Sequence, residues 1–195
     1  MKFYESGDSS KPVIFLFPGT CCLYSSFDHI LDRLHSYFYT VTVSYDGFDP
    51  NEKTEFYSME DECEKIELEI KKKYGGRIKA AYGCSLGGSF VSLLIQRKRI
   101  HIDHGIIGSS DMDEAGNLVA KIQASMVVPF MYKMIHTGAL PKFMQKKLNK
   151  TDEAKKELYN GFLNMFGIGK GGSPWITKQS IYNQFYSDLV TKVQH

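Results

Sequence analysis

The stretch YGCSLGGS, residues 82–89, decides how this chain is interpreted. Ser85 stands between Gly83 and Gly87, after the short apolar run IKAAYG and before LGGSFVSLLIQRKR, which has helical spacing. A strand that passes directly into a helix needs a tight turn, and flanking glycines let the two backbones approach. The apex residue then projects from the carboxyl edge of the sheet, where the helix also aims its first N–H groups. The pattern predicts a nucleophilic serine, with the N–H of Leu86 stabilising an oxyanion. A serine in an ordinary glycine-rich turn is the alternative, because GxSxG alone is common.

Apolar runs of strand length alternate with helical patterns over the first 110 residues. The runs are VIFLF (13–17), FYTVTVSY (38–45), IKAAYG (78–83) and IDHGIIGSS (102–110). The clearest helix, SMEDECEKIELEIKKKYGG, begins with a capping serine and ends in three lysines and two glycines. Runs that are apolar on both faces indicate a buried, parallel sheet covered by helices. The order predicts an α/β, doubly wound, mainly parallel sheet.

After Ser110 the alternation stops, and the sequence carries helical patterns without a convincing strand. We therefore predict a single domain with an α/β core at residues 1–110. A helical cap, residues 111–195, is inserted after the strand that ends near Ser110. The stretch NLVAKIQASMVVPFMYKMI carries a broad apolar face that is interrupted at Pro129.

Composition limits the classes of partner and the cellular compartment that we expect for this chain. The chain has 24 Lys and Arg and 22 Asp and Glu residues, a balance that predicts no nucleic-acid partner. The start, MKFYESGDSSKPVIFLF, lacks the longer apolar stretch of a secretory signal. No apolar run approaches the ~20 residues that cross a bilayer, so no membrane span is predicted. The cysteines have neither zinc-site nor disulfide-framework spacing; they are Cys21, Cys22, Cys63 and Cys84. We expect reduced thiols in a cytoplasmic protein, with no metal and no cofactor.

These motifs together resemble the α/β-hydrolase fold over residues 1 to about 195. GCSLGGS is similar to the nucleophile elbow of that family, FLFPGT matches the loop after its third strand, and the later helices look like its cap. The resemblance implies a serine hydrolase that acts on a carboxylic ester or similar acyl substrate through a Ser85 acyl-enzyme. It also implies that the backbone N–H of Thr20 is the second oxyanion donor, with Cys21 as the runner-up.

The chain departs from the family after the cap. The family's triad continues with an acid after the seventh strand and a histidine after the eighth, and no apolar run after Gly108 predicts either strand. The sequence thus looks like the first two thirds of a hydrolase. Asp111 is the candidate acid, although a helix-capping role is favoured for it. His136, in the cap, is the candidate base among His101, His104, His136 and His195, although a lone cap histidine is more often a surface residue.

The cap segment is rich in methionine and aromatic residues between Met126 and Phe166. Such residues usually pack helices together, and those that face the serine would suit an apolar acyl substrate. Without further strands, part of this surface would be exposed and would favour a homo-oligomer. Two alternatives to the hydrolase stay open. One is a non-catalytic protein that binds an apolar ligand, and the other is an incomplete domain that needs a partner chain.

Overall fold

The computed structural model describes residues 1–110, 114–168 and 171–192. One sheet contains five strands: β1 (Lys2–Ser6), β2 (Val13–Phe17), β3 (Tyr39–Ser44), β4 (Arg77–Cys84) and β5 (His101–Gly108). Their order across the sheet is β1-β3-β2-β4-β5. Strands β2, β3, β4 and β5 are parallel, and β1 pairs with β3 in the antiparallel direction. The predicted α/β, mainly parallel sheet is confirmed.

Strand β1 is the one element of the sheet that the sequence did not predict. Its residues, KFYES, form no continuous apolar run, and most of them are only partly buried. The strand lies at an edge of the sheet and pairs with β3 from Lys2 opposite Ser44 to Ser6 opposite Thr40. An edge strand has one neighbour and needs less burial, so its local pattern is weaker.

Helices cover both faces of the sheet. Because successive side chains of a strand point to opposite faces, each strand contributes residues to the core on both sides. On one face, Phe15 and Phe17 of β2 pack with α2 (Met59–Tyr74) and α3 (Leu86–Arg97). On the other face, Ile14 and Leu16 pack with α1 (Asp28–Leu34), which follows a 3₁₀ turn at Tyr24–Phe27. The predicted caps of α2 are present. The Ser58 hydroxyl accepts from the Asp61 N–H at 3.1 Å, and Gly75 ends the helix with φ 62°.

Four further helices follow β5: α4 (Asn117–Thr137), α5 (Lys142–Asn149), α6 (Glu153–Asn164) and α7 (Lys178–Val190). Pro129 does not end α4, which runs through it as one helix of 21 residues. α4 is the one helix in the described ranges that is long and apolar enough to cross a bilayer, with a mean hydropathy of 1.2 and 28% of that window buried. Core helices of soluble proteins share such lengths and hydropathies, so these values alone establish no span.

Helix α7 contacts the α/β core through the buried Ile181 and through a stripe of buried polar residues. Ser180, Gln184 and Ser187 are all buried and recur at helical spacing. Ser180 Oγ accepts from the Phe56 N–H at 3.3 Å, and Ser187 Oγ accepts from the Met59 N–H at 2.7 Å. These bonds satisfy the N–H of a loop residue and the N–H of the first residue of α2, which would otherwise be buried without partners.

Candidate active site

Ser85 occupies the turn between the end of β4 and the start of α3. Its backbone has φ 54° and ψ −124°, a conformation that is uncommon for a residue with a side chain. Its N–H donates to the Gly108 carbonyl at 2.8 Å, which ties the turn to the end of β5. The side chain is exposed above the carboxyl edge of the sheet. This is the strand–turn–helix geometry that the spacing of the glycines indicates.

Two glycines of the motif lie where strand, helix and loop touch. A Cβ atom at Gly83 would overlap the carbonyl of Gly87, and one at Gly87 would overlap the carbonyl of Phe17. The turn therefore requires glycine at both positions for steric reasons. Without these side chains α3 begins directly against the ends of β2 and β4, and its first N–H groups come close to Ser85.

The Pro18–Gly19–Thr20 loop packs against the turn. A Cβ atom at Gly19 would stand 3.2 Å from the Cys84 carbonyl oxygen and 3.5 Å from Cβ of Ser85. The Tyr45 hydroxyl donates to the Pro18 carbonyl at 3.1 Å and holds the loop from the core side. Burial, the largest influence, raises the pKa of Tyr45 well above its usual value, so this hydroxyl stays a donor.

Thr20 and Cys21 are the two loop candidates for an oxyanion donor, and the N–H of Cys21 already has an acceptor. Its N–H donates to Oε1 of the buried Gln184 at 2.6 Å. The N–H of Thr20 has no acceptor among the described residues, and Thr20 lines the same cleft as Ser85. The N–H of Leu86 belongs to the first turn of α3, where a helix provides no internal acceptor. This geometry favours Leu86 and Thr20 as the donor pair, and their role stays a prediction.

A cleft of 1020 Å³ opens over Ser85 between α4 and α7. Most of its wall is apolar. Its lining residues are Thr20, Ser85, Glu114, Ala115, Gly116, Val119, Gln123, Ala124, Met126, Val127, Phe185, Asp188 and Leu189. Phe185 and Leu189 of α7 are only partly buried and line this cleft.

No family model and no curated protein matches this sequence. Solved structures do match it. An α/β-hydrolase family protein from Desulfitobacterium hafniense has a TM-score of 0.71 at 16% identity, over 97% of this chain and 72% of its own. A carboxylesterase from Nitrososphaera gargenis has a TM-score of 0.67 at 14% identity, over 97% of this chain and 68% of its own. An enol-lactonase from Burkholderia xenovorans has a TM-score of 0.66 at 12% identity, over 98% of this chain and 71% of its own.

This chain has the α/β-hydrolase fold. At these identities the likeness concerns the fold rather than a substrate. The chain spans roughly two thirds to three quarters of the length of the matched structures. Ser85 stands at the carboxyl edge of the parallel strands, where open α/β sheets bind their ligands.

Two carboxylates line the cleft of this α/β-hydrolase fold, and the sequence predicted neither. Glu114 precedes α4 and is exposed, and Asp188 lies on α7 and is partly buried. The predicted acid, Asp111, lies outside the described residues. Asp188 comes four residues after Gln184, which accepts from the Cys21 N–H, and that spacing places both residues on one side of α7.

The structure does not bring the predicted base to the serine. His136 lies nine residues beyond Val127, the last residue of α4 in the cleft lining, a rise of about 13 Å along the helix. Its ring packs near Tyr132, with the centroids 5.1 Å apart, and its Nδ1 is buried without a partner in the described residues. His101 and His104 lie on β5, and His195 lies outside the described residues. Among the residues that the structure describes, no histidine lines the cleft.

Three cysteines lie near the turn; Cys21 and Cys22 are buried, and Cys84 is partly buried. Burial raises the pKa of Cys22 to about 12, with a smaller contribution from Cys84, and burial also raises the pKa of Cys21. A thiol with a raised pKa is a weak nucleophile and a weak metal ligand at neutral pH. All four cysteines are free, and the described residues contain no cluster of three His, Cys, Asp or Glu side chains able to hold a metal ion.

Proposed function

We propose that this protein is a hydrolase of carboxylic esters or related acyl compounds, with Ser85 as the nucleophile. The observation that carries the proposal is the backbone of Ser85, held at φ 54° between β4 and the N-terminus of α3. A strained turn of this kind costs free energy, and such conformations cluster at functional sites. A serine with an ordinary structural role would not need it.

The reaction has two steps. Ser85 Oγ attacks the carbonyl carbon, the bond to the alkoxide leaving group breaks, and the proton lost by the Ser85 hydroxyl ends on the departing alcohol. The Leu86 and Thr20 N–H groups stabilise the negative oxygen of the tetrahedral intermediate. A water molecule then cleaves the acyl-enzyme and regenerates the serine. The apolar wall formed by Val119, Val127 and Phe185 suits an acyl chain or another apolar group.

The matched structures are consistent with this proposal. They include a carboxylesterase and an enol-lactonase, two classes of enzyme whose names denote acyl–oxygen chemistry. Epoxide hydrolases also occur among the matches, so the fold alone does not select the acyl chemistry. For this chain the choice rests on Ser85, because the attacking group at the turn is a hydroxyl rather than a carboxylate.

The second candidate is a protein that binds an apolar ligand in the same cleft without turnover. It is favoured by the lining of the cleft, which includes no histidine among the described residues. A serine without a base keeps ordinary alcohol reactivity. His136 and Asp111 stay predictions for the base and the acid, and a partner chain could also supply the base.

The deciding experiment is intact mass after exposure to a fluorophosphonate, for the wild type and for Ser85→Ala. We expect one adduct on the wild type that is absent from Ser85→Ala and retained in Ser125→Ala, which removes an exposed serine of α4. Hydrolysis of short p-nitrophenyl esters should fall by several orders of magnitude in Ser85→Ala. A folded wild type without an adduct would overturn the hydrolase proposal. Saturable ligand binding that survives Ser85→Ala would then support the second candidate.

A further inference from the structure

The outward side of α4 is apolar although it is exposed. Leu118, Ile122, Met126 and Phe130 follow one another at four-residue spacing and so share one side of the helix. Their exposed fractions are 72%, 53%, 74% and 42%. We call these four residues the α4 row. Soluble proteins rarely leave a contiguous apolar surface uncovered, and such surfaces mark contacts with another molecule or with a membrane.

The opposite side of α4 is already occupied. Ala120, Ala124 and Val128 are at most 1% exposed and face α7. The packing of α4 into the protein therefore does not require the α4 row. The row is an additional apolar surface on a helix whose 21 residues extend about 31 Å.

The chain around the α4 row carries positive charge only. Residues 115–151 contain six lysines and no aspartate or glutamate; they are Lys121, Lys133, Lys142, Lys146, Lys147 and Lys150. Removing these six from the 24 basic residues of the chain leaves 18 against 22 acidic residues, so the remainder is net acidic. Lys121, Lys133 and Lys142 are exposed, and none of them forms an ion pair within the described residues.

We propose that the α4 row binds the surface of an anionic lipid bilayer, with α4 lying flat at the headgroup boundary. An apolar row flanked by lysines is the pattern by which helices bind such surfaces. Each lysine near an anionic leaflet adds attraction, and no acidic residue of the stretch 115–151 opposes it. Two carboxylates outside that stretch, Glu114 and Asp188, line the cleft. A second copy of the chain fits less well, because it would bring two positively charged surfaces together. Nucleic acid fits less well because it offers no apolar phase for Leu118 and Met126.

The α4 row is continuous with the cleft over Ser85. Met126 belongs to both, and Val119 and Val127 extend the apolar surface from the row into the cleft. A bilayer bound along α4 would therefore lie at the mouth of the cleft. If Ser85 is the nucleophile, as the proposed function has it, acyl groups from the bilayer could reach it without crossing water. Binding itself does not depend on that function.

The test is co-sedimentation of the full chain with vesicles of phosphatidylcholine, with and without phosphatidylserine. We expect binding only when phosphatidylserine is present, and weaker binding as salt rises. The double variant Lys121→Gln/Lys133→Gln, with both lysines on α4, should bind roughly 30-fold more weakly, at about 1 kcal/mol per lysine. The control Lys71→Gln/Lys72→Gln removes the same charge from the end of α2 and should bind like the wild type.

The apolar contribution is tested with Leu118→Ser/Met126→Ser. Both side chains are exposed, so the fold should persist, which circular dichroism checks, while vesicle binding falls more than roughly tenfold. Ser85→Ala should bind vesicles like the wild type. The vesicle test therefore reports on membrane binding whether or not the hydrolase proposal holds. Binding that is absent, or unchanged in both α4 variants, would overturn the proposal. A dimer that forms without lipid and is lost in Leu118→Ser/Met126→Ser would assign the row to a second copy instead.

Discussion

The backbone of Ser85 makes a prediction about stability that is independent of any activity. At φ 54° and ψ −124° the side chain is held in a region that glycine enters freely and other residues enter at a cost. Replacing Ser85 by glycine should relieve that cost, whereas replacing it by alanine should not. The informative comparison is Ser85→Gly against Ser85→Ala, because both variants lose the hydroxyl.

The magnitude follows from two opposing contributions. A residue held in a sparsely populated conformation costs about 1 to 3 kcal/mol, and glycine gives that back. Glycine also makes the unfolded chain more flexible, and this lowers the stability of the folded protein by about 0.5 to 1 kcal/mol relative to alanine. The net expectation is that Ser85→Gly is about 0.5 to 2 kcal/mol more stable than Ser85→Ala. For a chain of this size each 1 kcal/mol raises Tm by about 2 to 4 °C.

Thermal unfolding followed by circular dichroism measures this difference directly. The matched control is the same pair of substitutions at Ser125, which lies exposed inside α4. There the glycine variant should be the less stable one, by about 1 kcal/mol. If Ser85→Gly unfolds at a lower temperature than Ser85→Ala, Ser85 is not strained, and the main support for its proposed role is lost.

Two further predictions concern buried polar groups. Burial, aided by the nearby Asp46 carboxylate, raises the pKa of Glu62 to about 7 from 4.5. The fold therefore favours the protonated carboxyl of Glu62, and its full contribution to stability is present below pH 4.5. The free energy of unfolding of the wild type should fall by up to about 3 kcal/mol as pH rises through 7. Urea midpoints for Glu62→Gln should show a smaller decrease between pH 5 and pH 8, and an identical decrease would contradict the shift. Gln184→Leu leaves the buried Cys21 N–H without its acceptor and should destabilise the fold by about 1 to 3 kcal/mol. Urea unfolding measures that loss, and an unchanged midpoint would show that the bond contributes little.

Much of the sheet could be predicted because its buried strands are apolar runs that can be recognised from neighbouring residues alone. The run Val13–Phe17 is apolar at every position, since both of its faces are covered, and β2 has those same limits. Strand β1 could not be predicted in this way, because its partner β3 is about 40 residues distant and its own residues are half-exposed. The continuation of α4 through Pro129 also escaped prediction, because proline disfavours a helix interior without forbidding it.

The candidate site also has one part that the sequence predicts and one part that it does not. The turn at Ser85 is local, and the glycines around it indicate its geometry. The walls of the cleft are not local. Gln184 binds the Cys21 N–H across 163 residues of chain, and Asp188 reaches the cleft from the same distant helix. Nothing in the sequence around Asp188 distinguishes it from an ordinary surface acid of a helix. Only the packing of α7 against the core gives it a place beside Ser85.

The contacts of Gly83 and Gly87 separate two kinds of evolutionary constraint within one motif. A side chain at either glycine collides with backbone, so substitution there removes the folded protein itself. A side chain at Ser85 points outward, so substitution there spares the fold and alters only chemistry. In a saturation mutagenesis library sorted for cellular abundance, variants at the glycines should disappear while variants at the serine persist. If Ser85 is the nucleophile, as we propose, a lineage that lost its hydroxyl in a single substitution would still keep the architecture.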